Sequence, residues 1–264
     1  AVTGGFGLVG SQIVTKLVSL GWRVKILSRS KIHKPTSKID IIYSDINNIT
    51  GLKILVEGAD AIFHCAGEIS NANKMHSTNV EGTRKLLQVS KQSGAKFFCF
   101  LSSAGVISKT NDKKITEDTA CNPQNFYEKT KYESEMLVKN AKLKMSVCIL
   151  RPTNIVDSLQ PGILLLPIIN GWREKFKVIF KGKENAHIVH TIDVASSAIY
   201  FLEQKIPGVN VFFISIDDDY QNNVKAIYQS YLKLLNKKNK IFFSMPLLVP
   251  YFFRKFFRHD GLHG

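Results

Sequence analysis

Apolar and polar positions along the chain follow two periods that take turns. Short apolar or β-branched runs, RVKILS (23–28), IDIIYS (39–44), DAIFHC (60–65), KFFCFLS (96–102) and KMSVCIL (144–150), read as buried strands. Between them, apolar residues recur three and four apart. One such stretch runs from about Leu8 to Leu20, with Ile13, Val14, Leu17 and Val18 on one face and Gly21 closing it. Further helices are predicted over roughly 73–93, closed by Gly94, and over 127–143, and a short strand over 1–3. Strands alternating with amphipathic helices build parallel βαβ units with right-handed crossovers. Residues 1–150 are therefore predicted to form an α/β, Rossmann-type doubly wound parallel sheet.

From 151 onward the pattern loosens. Pro161-Gly162, the run ILLLPII (163–169), a KVIF strand, a helix at 193–204, a VFFIS strand (211–215) and a helix near 219–236 follow. Residues 151–264 are expected to be a smaller substrate-binding lobe, interleaved with the sheet as one structural unit. Only Ala1-Val2-Thr3 precede the first glycines, and no initiator Met is present. A longer strand normally leads into such a loop, so residues are expected upstream.

Composition narrows the class. The 264 residues are 44% hydrophobic and 22% charged, which suits a globular domain and excludes disordered or fibrous chains. Cys65, Cys99, Cys121 and Cys148 are scattered without metal-ligand spacing, so no metal site is expected. They read as buried thiols in a reducing compartment, which points to the cytoplasm. The net charge of +15 is spread along the chain, with modest clusters at 109–114 and 236–240. No zinc knuckle, RNP-like aromatic run or helix-turn-helix accompanies it, so no nucleic acid is expected as partner. A solvated Lys-rich surface explains the surplus, and phosphorylated substrates are the next reading. Near the end, IFFSMPLLVPYFF (241–253) carries Pro246 and Pro250 and is too short to span a bilayer. It reads as a segment closing a substrate cleft. Peripheral membrane contact is the alternative, since Arg254, Lys255 and Arg258 follow its aromatic rings.

The opening AVTGGFGLVG satisfies two spacings at once. Gly5, Gly7 and Gly10 read G-x-G-x-x-G, and Gly4, Gly7 and Gly10 read G-x-x-G-x-x-G. Backbone without Cβ lets a pyrophosphate approach a helix N-terminus, where amides and dipole favour anions. After a strand and before an amphipathic helix, this pattern predicts dinucleotide binding. About 20 residues further on, an NAD site places an acid for the ribose 2′-hydroxyl. Here Ser28-Arg29-Ser30-Lys31 offers cations instead, which favours NADP(H) over NAD. Arg29 could alternatively stack on adenine or face solvent. Asp45-Ile46 could grip the adenine, or Asp45 could cap the turn at 47–50.

Chemistry is suggested by YEKTK (127–131). Tyr127 and Lys131, four apart at a helix start, share one face. A phenol titrates near 10, and a nearby ammonium lowers that value toward general acid/base use. Ser102-Ser103 ends the fifth predicted strand, at the carboxyl edge where α/β sheets bind ligands. A hydroxyl there can hold a substrate oxygen beside the tyrosine.

Taken in order, TGGFGLVG, HCAG (64–67), NVEGT (79–83), LSSAG (101–105), YEKTK with Glu135 beyond it, RPTN (151–154) and HTIDVA (190–195) resemble the extended short-chain dehydrogenase/reductases. More narrowly, they resemble the NAD-dependent epimerase/dehydratase family, over about 1–205. The resemblance implies a catalytic Ser103–Tyr127–Lys131 triad. It places Gly4, Gly7, Leu8 and Val9 at the pyrophosphate, Asp45 and Ile46 at the adenine, and Cys65, Ala66 and Gly67 along the cofactor. Asn79 would support the nicotinamide side, Pro152 would lie beside the nicotinamide, and Asn154 would face substrate. Asp193 resembles a structural acid of the family, and a helix N-cap is its simpler reading. A homodimer paired through the 73–94 and 127–143 helices is also implied.

Two departures, Ile107-Ser108 where many nucleotide-sugar enzymes carry YG and Asp157 where a glycine is usual, weaken any single sugar-nucleotide branch. Ala104 after Ser103 argues against dehydration. A nucleotide-sugar oxidoreductase or epimerase is the leading expectation. A reductase or dehydrogenase of a lipid-like alcohol, suggested by the apolar tail, and a non-catalytic cofactor-binding assembly subunit are the alternatives.

Overall fold

The computed structural model describes residues 1–108, 110, 112, 114–157, 178 and 182–234. Seven strands make one parallel sheet: β1 (Val2–Thr3), β2 (Val24–Ser28), β3 (Ile39–Tyr43), β4 (Ala61–His64), β5 (Phe97–Leu101), β6 (Ser146–Pro152) and β9 (Val209–Ile214). Their spatial order is β3-β2-β1-β4-β5-β6-β9. The chain winds outward one way from β1, then returns to the other side of β1 at β4. That reversal opens a crevice at the carboxyl ends of β1 and β4. Helix α1 (Leu8–Ser19) follows β1, α2 (Ile49–Val56) follows β3, and α5 (Phe126–Asn140) precedes β6. Between β4 and β5, α3 (Ala72–His76) runs through a π-helical turn, Ser77–Glu81, into α4 (Gly82–Ser90). The helix expected over 73–93 is thus interrupted at Asn79.

Strand interiors are apolar on both faces because helices cover both. Leu52, Leu55, Ile62, Leu86, Phe98 and Ile149 are fully buried in one cluster. Two amino-acid choices make the helix starts legible. Asn48 caps α2 by accepting from the amides of Thr50 and Gly51, and Asn125 with Glu128 closes a capping box on α5.

The second half departs from the sequence expectation. The chain divides into two units, residues 1–153 with 190–214, and residues 154–189 with 215–264. The boundary expected at 150 therefore falls after Thr153, and 190–214 rejoin the first unit. Helix α6 (Thr191–Gln204) buries Val194, Ala195 and Ala198 and packs on α1. It delivers β9 to the edge beside β6, so VFFIS is a strand of the main sheet and not of a separate lobe. The cap of α6 is His190, whose ring accepts from the Ile192 amide at 3.2 Å, and not Asp193. The second unit contains β7 (Asn154–Val156), most of β8 (Ile188–His190) and α7 (Val224–Leu234). The runs expected at 161–169, at 177–180 and in the tail at 241–258 lie outside the described residues, save Val178.

Two buried polar networks tie the elements around the crevice. The first centres on His64, fully buried at the end of β4. Thr83 Oγ1 lies in hydrogen-bond contact with the Asn79 carbonyl, which has no proton to give. Thr83 therefore donates there and accepts from His64 Nε2–H at 2.8 Å. A neutral ring then leaves Nδ1 as acceptor for the Thr3 hydroxyl at 2.7 Å. Thr3 Oγ1 in turn accepts from the Ala66 amide at 3.3 Å. Burial, aided by the charge of Lys131, pushes His64 down to about 3, consistent with this assignment.

The second network centres on Glu135 of α5, with no exposed surface. Its carboxylate accepts from Arg151 Nη2 at 2.6 Å and Nε at 3.1 Å, from the Ser102 hydroxyl at 2.9 Å, and from Lys139 at 2.8 Å. Arg151, 1% exposed, also reaches the Glu117 carbonyl and Cys121 Sγ, each at 3.2 Å. One carboxylate thereby fastens the catalytic-helix candidate to the ends of β5 and β6.

The first network makes stability depend on pH. The unfolded chain binds a proton on His64 below about 6.5 that the folded chain refuses until about pH 3. Stability is therefore expected to fall with pH below about 6.5, by up to ~1.4 kcal/mol per unit. Urea denaturation between pH 7.5 and 5.5 measures this, and His64→Gln should flatten the slope even though it weakens the fold. An unchanged slope in the variant would refute the assignment. For the second network, Glu135→Ala leaves a buried guanidinium unpaired and should cost about 3–5 kcal/mol. Glu133→Ala, which breaks only the half-exposed contact with His76, should cost less than about 1 kcal/mol in the same thermal-unfolding assay.

Candidate active site

The turn after β1 is built by glycine for two different reasons. Gly4 sits at φ +69°, and a Cβ there would come within 2.6 Å of the Ala66 nitrogen. At Gly10 a Cβ would meet the Gly4 carbonyl at 2.1 Å. Both glycines let the chain close on itself, with the Gly7 amide donating to the Gly4 carbonyl at 2.9 Å. Gly7 is the N-cap of α1 and brings no side-chain cap, and the first turn holds no acid. The amides that open α1 are thus left for an external anion.

This turn lines a cleft of about 520 Å³. Of the cofactor residues expected from the sequence, Gly4, Gly7, Arg29, Ile46, Cys65, Ala66 and Gly67 line it. Leu8 and Val9 open helix α1 behind the turn, with Val9 buried. Asp45 is not among the residues lining the cleft, and it accepts from the Asn47 amide at 2.8 Å. Pro152 is buried at the end of β6. An uncapped helix start beside this cleft fits a dinucleotide pyrophosphate. Another hollow of about 360 Å³, lined by Trp22, Arg23 and Asp60, lies at the amino edge of the strands and holds none of the candidate residues.

Asn79 does not reach that cleft directly; it organises its wall. Its Oδ1 accepts from the Glu68 amide at 2.7 Å, and its Nδ2 donates to the Glu68 carbonyl and to Thr130 Oγ1, both at 3.0 Å. The Glu68 carboxylate collects the amides of Ile69, Ser70 and Asn71 and the Ser70 hydroxyl. Those bonds hold it at about 2, well below an ordinary glutamate. Asn79 also takes the Ser134 hydroxyl on its carbonyl at 2.8 Å, so the π turn is clasped to α5 from two sides.

On α5, Tyr127 lies near enough to the Ser103 hydroxyl for that group to act on the phenol, and Ser103 Oγ accepts from the Gly105 amide at 3.1 Å. Burial raises the phenol above its usual value, with the Ser103 hydroxyl opposing. Lys131, 5% exposed, is pushed down to about 8 by burial, with Cys65 and Glu135 opposing. Its ammonium donates to the Leu101 carbonyl and stands 4.4 Å from the centre of the Phe100 ring. The sequence expectation that Lys131 lowers the phenol pKa is therefore not the balance found here, where burial dominates. Cys65 is pushed up to about 12 by burial, so its thiol stays protonated. Asn154, expected to face substrate, belongs to the second unit, where its amide donates to the His187 carbonyl at 2.7 Å.

Sequence reasoning brought Ser103, Tyr127 and Lys131 to one helix start and one strand end, and the structure places Tyr127 and Lys131 on α5 and Ser103 just beyond β5. It passed over His64, Thr83 and the Arg151–Glu135 pair. Their signals were present only as letters within HCAG, NVEGT and RPTN, and as the glutamate four beyond Lys131. Among the described residues no group of side chains is arranged to hold a metal, and no helix is long and apolar enough to cross a membrane.

Comparison with known proteins shows the family and the fold. The sterol-4-alpha-carboxylate 3-dehydrogenase (decarboxylating) of Dictyostelium discoideum is 27% identical over 83% of this chain and 72% of its own length. A putative UDP-glucose 4-epimerase of Methanocaldococcus jannaschii is 26% identical over 80% of this chain and 75% of its own. Against several other curated relatives the chain spans about half of their length. The crystal structure of Bordetella bronchiseptica WbmH in complex with NAD+ shares the fold, with a TM-score of 0.73 at 17% identity over 93% of this chain and 83% of that one. The sequence pattern of the NAD dependent epimerase/dehydratase family matches residues 1–214. The chain belongs to that family, and is thereby an enzyme of the extended short-chain dehydrogenase/reductase type.

Proposed function

We propose that this chain is an NAD(P)-dependent oxidoreductase or epimerase that works at a secondary alcohol or ketone, most readily that of a nucleotide sugar. The observation that carries the reading is the nearness of Ser103, just beyond the carboxyl end of β5, to Tyr127 of the helix that also holds the buried Lys131. A nicotinamide dinucleotide in the cleft supplies the hydride donor or acceptor. Tyr127 keeps its proton at neutral pH because burial raises its phenol, so it is poised to protonate a carbonyl oxygen. Ser103 offers a second hydrogen bond to the same oxygen. In the direction of alcohol oxidation, Tyr127 has to lose that proton, and an ammonium released from the Leu101 carbonyl would favour the phenolate.

NADP(H) is the preferred cofactor in this reading. Arg29 lines the cleft, and no acid follows β2. The net charge of +15 and the likeness to the putative UDP-glucose 4-epimerase support a diphosphate-bearing substrate. The likeness to a sterol dehydrogenase favours a second reading, a lipid-like secondary alcohol.

Tyr127→Phe should lower turnover by about 10²–10⁴-fold while cofactor affinity holds. Turnover assayed with UDP-glucose and with a 3β-hydroxysterol, each with both cofactors, measures this and separates the two substrate readings. A Tyr127→Phe protein that keeps its rate would overturn the acid/base assignment. Arg29→Ala should weaken NADPH by roughly tenfold and leave NADH unaffected in fluorescence titration.

A further inference from the structure

The glycine turn carries an aromatic ring for which neither phosphate binding nor core packing has a use. Phe6 lies between Gly5 and Gly7, 39% exposed, and lines the cleft. Its ring is stacked on the imidazole of His33, with centroids 3.6 Å apart and planes 9° from parallel. His33 belongs to the segment after β2 and lines the same cleft. Its backbone is fixed by the Tyr43 hydroxyl, which donates to the His33 carbonyl at 2.6 Å. Two walls of the cleft, the phosphate turn and the segment after β2, are thus joined through this pair of rings.

Polar groups at that end of the cleft divide into those already occupied and those available. The Ser28 hydroxyl donates to the Ser30 carbonyl at 3.1 Å and accepts from the Ser30 amide at 3.2 Å. The Ser30 hydroxyl accepts from the Ile32 amide at 3.3 Å. The Ser28 hydroxyl is therefore spent within the loop, while the Ser30 hydroxyl keeps its proton to donate. Among the described residues, the His33 ring nitrogens and the Arg29 guanidinium have no hydrogen-bond or ion-pair partner. Stacking occupies a face of the imidazole and leaves its N–H edge open, and an imidazole has an N–H to donate in either protonation state.

We propose that His33, held against Phe6, is a cofactor-specificity residue that donates to the 2′-phosphate on the adenosine ribose, alongside Arg29. Phe6 is the shelf that fixes the ring. The inference rests on the NADP(H) reading given above and adds to it a second donor. Arg29 alone sits on an exposed, mobile-stemmed side chain, whereas a stacked imidazole is ordered before the ligand arrives and loses little freedom on binding.

The test uses the full chain and two small probes, adenosine 2′,5′-bisphosphate and AMP, titrated calorimetrically into wild type, His33→Ala, Phe6→Ala and Arg29→Ala. Wild type should bind the bisphosphate more tightly than AMP. His33→Ala should reduce that preference by roughly tenfold with AMP affinity unchanged. Phe6→Ala should reduce it in the same sense, since it removes the shelf but no donor. A preference that Arg29→Ala abolishes and His33→Ala leaves intact would overturn the role of His33 and leave the NADP(H) reading standing. Equal losses for both probes in His33→Ala would make the ring pair a loop staple only. No preference in wild type would overturn both the inference and the cofactor reading beneath it.

Discussion

The arrangement depends first on an imidazole kept away from water. His64 ends β4, and its two ring nitrogens are satisfied by hydroxyls from opposite directions, Thr3 of β1 and Thr83 of α4. Because Thr83 spends its proton on the Asn79 carbonyl, every donor and acceptor in the chain from Ala66 to Asn79 has a fixed sense. A proton added to His64 would leave a donor facing a donor in a dry interior, and a buried charge besides. The glycine turn after β1, the cleft wall after β4 and the π turn of Asn79 are therefore positioned by one neutral side chain. The Asn79 carbonyl hands the constraint on to α5 through Ser134.

Glu135 provides the complementary fastening. It holds Ser102, next to the candidate Ser103, and Arg151, next to Pro152, while it sits one turn beyond Lys131 on the same helix. Its negative charge also opposes the burial that would otherwise discharge Lys131. A fully buried ion pair is a costly way to gain stability, and an apolar replacement often serves as well. An apolar side chain could not, however, hold a strand end through a serine hydroxyl and support an ammonium at once. The pair is better understood as fixing where the reactive hydroxyls stand than as strengthening the core.

The first half of the fold was legible because its physics is local. Apolar runs, a G-x-G-x-x-G turn and asparagine caps each act within a few residues, and the strand order follows from crossover handedness. The β9 strand was misplaced because residues 154–189 interrupt the crossover that leads to it, so VFFIS and the helix before it looked detached from the sheet. Site residues divided the same way. Gly4, Gly7 and the Tyr127–Lys131 spacing could be read from adjacency. Asp45 shows its turn-capping bond, from the Asn47 amide, only in the folded chain. His64 and Thr83 were unreadable because their meaning lies in a pairing across 19 residues that no period marks.

Electrostatics was the least legible part, and it changes what the Tyr-Lys spacing means. Four residues on one helix face suggested an ammonium acting on a phenol. In the folded chain the ammonium is held by the Leu101 carbonyl and the Phe100 ring, and burial leaves the phenol protonated. Spacing fixes which groups share a face, but a pKa is set by everything that replaces water around them. A site in this condition is already suited to giving a proton. To take one up, it needs Lys131 drawn off its carbonyl, and the hydroxyls of a bound cofactor ribose are acceptors of the kind that could do so.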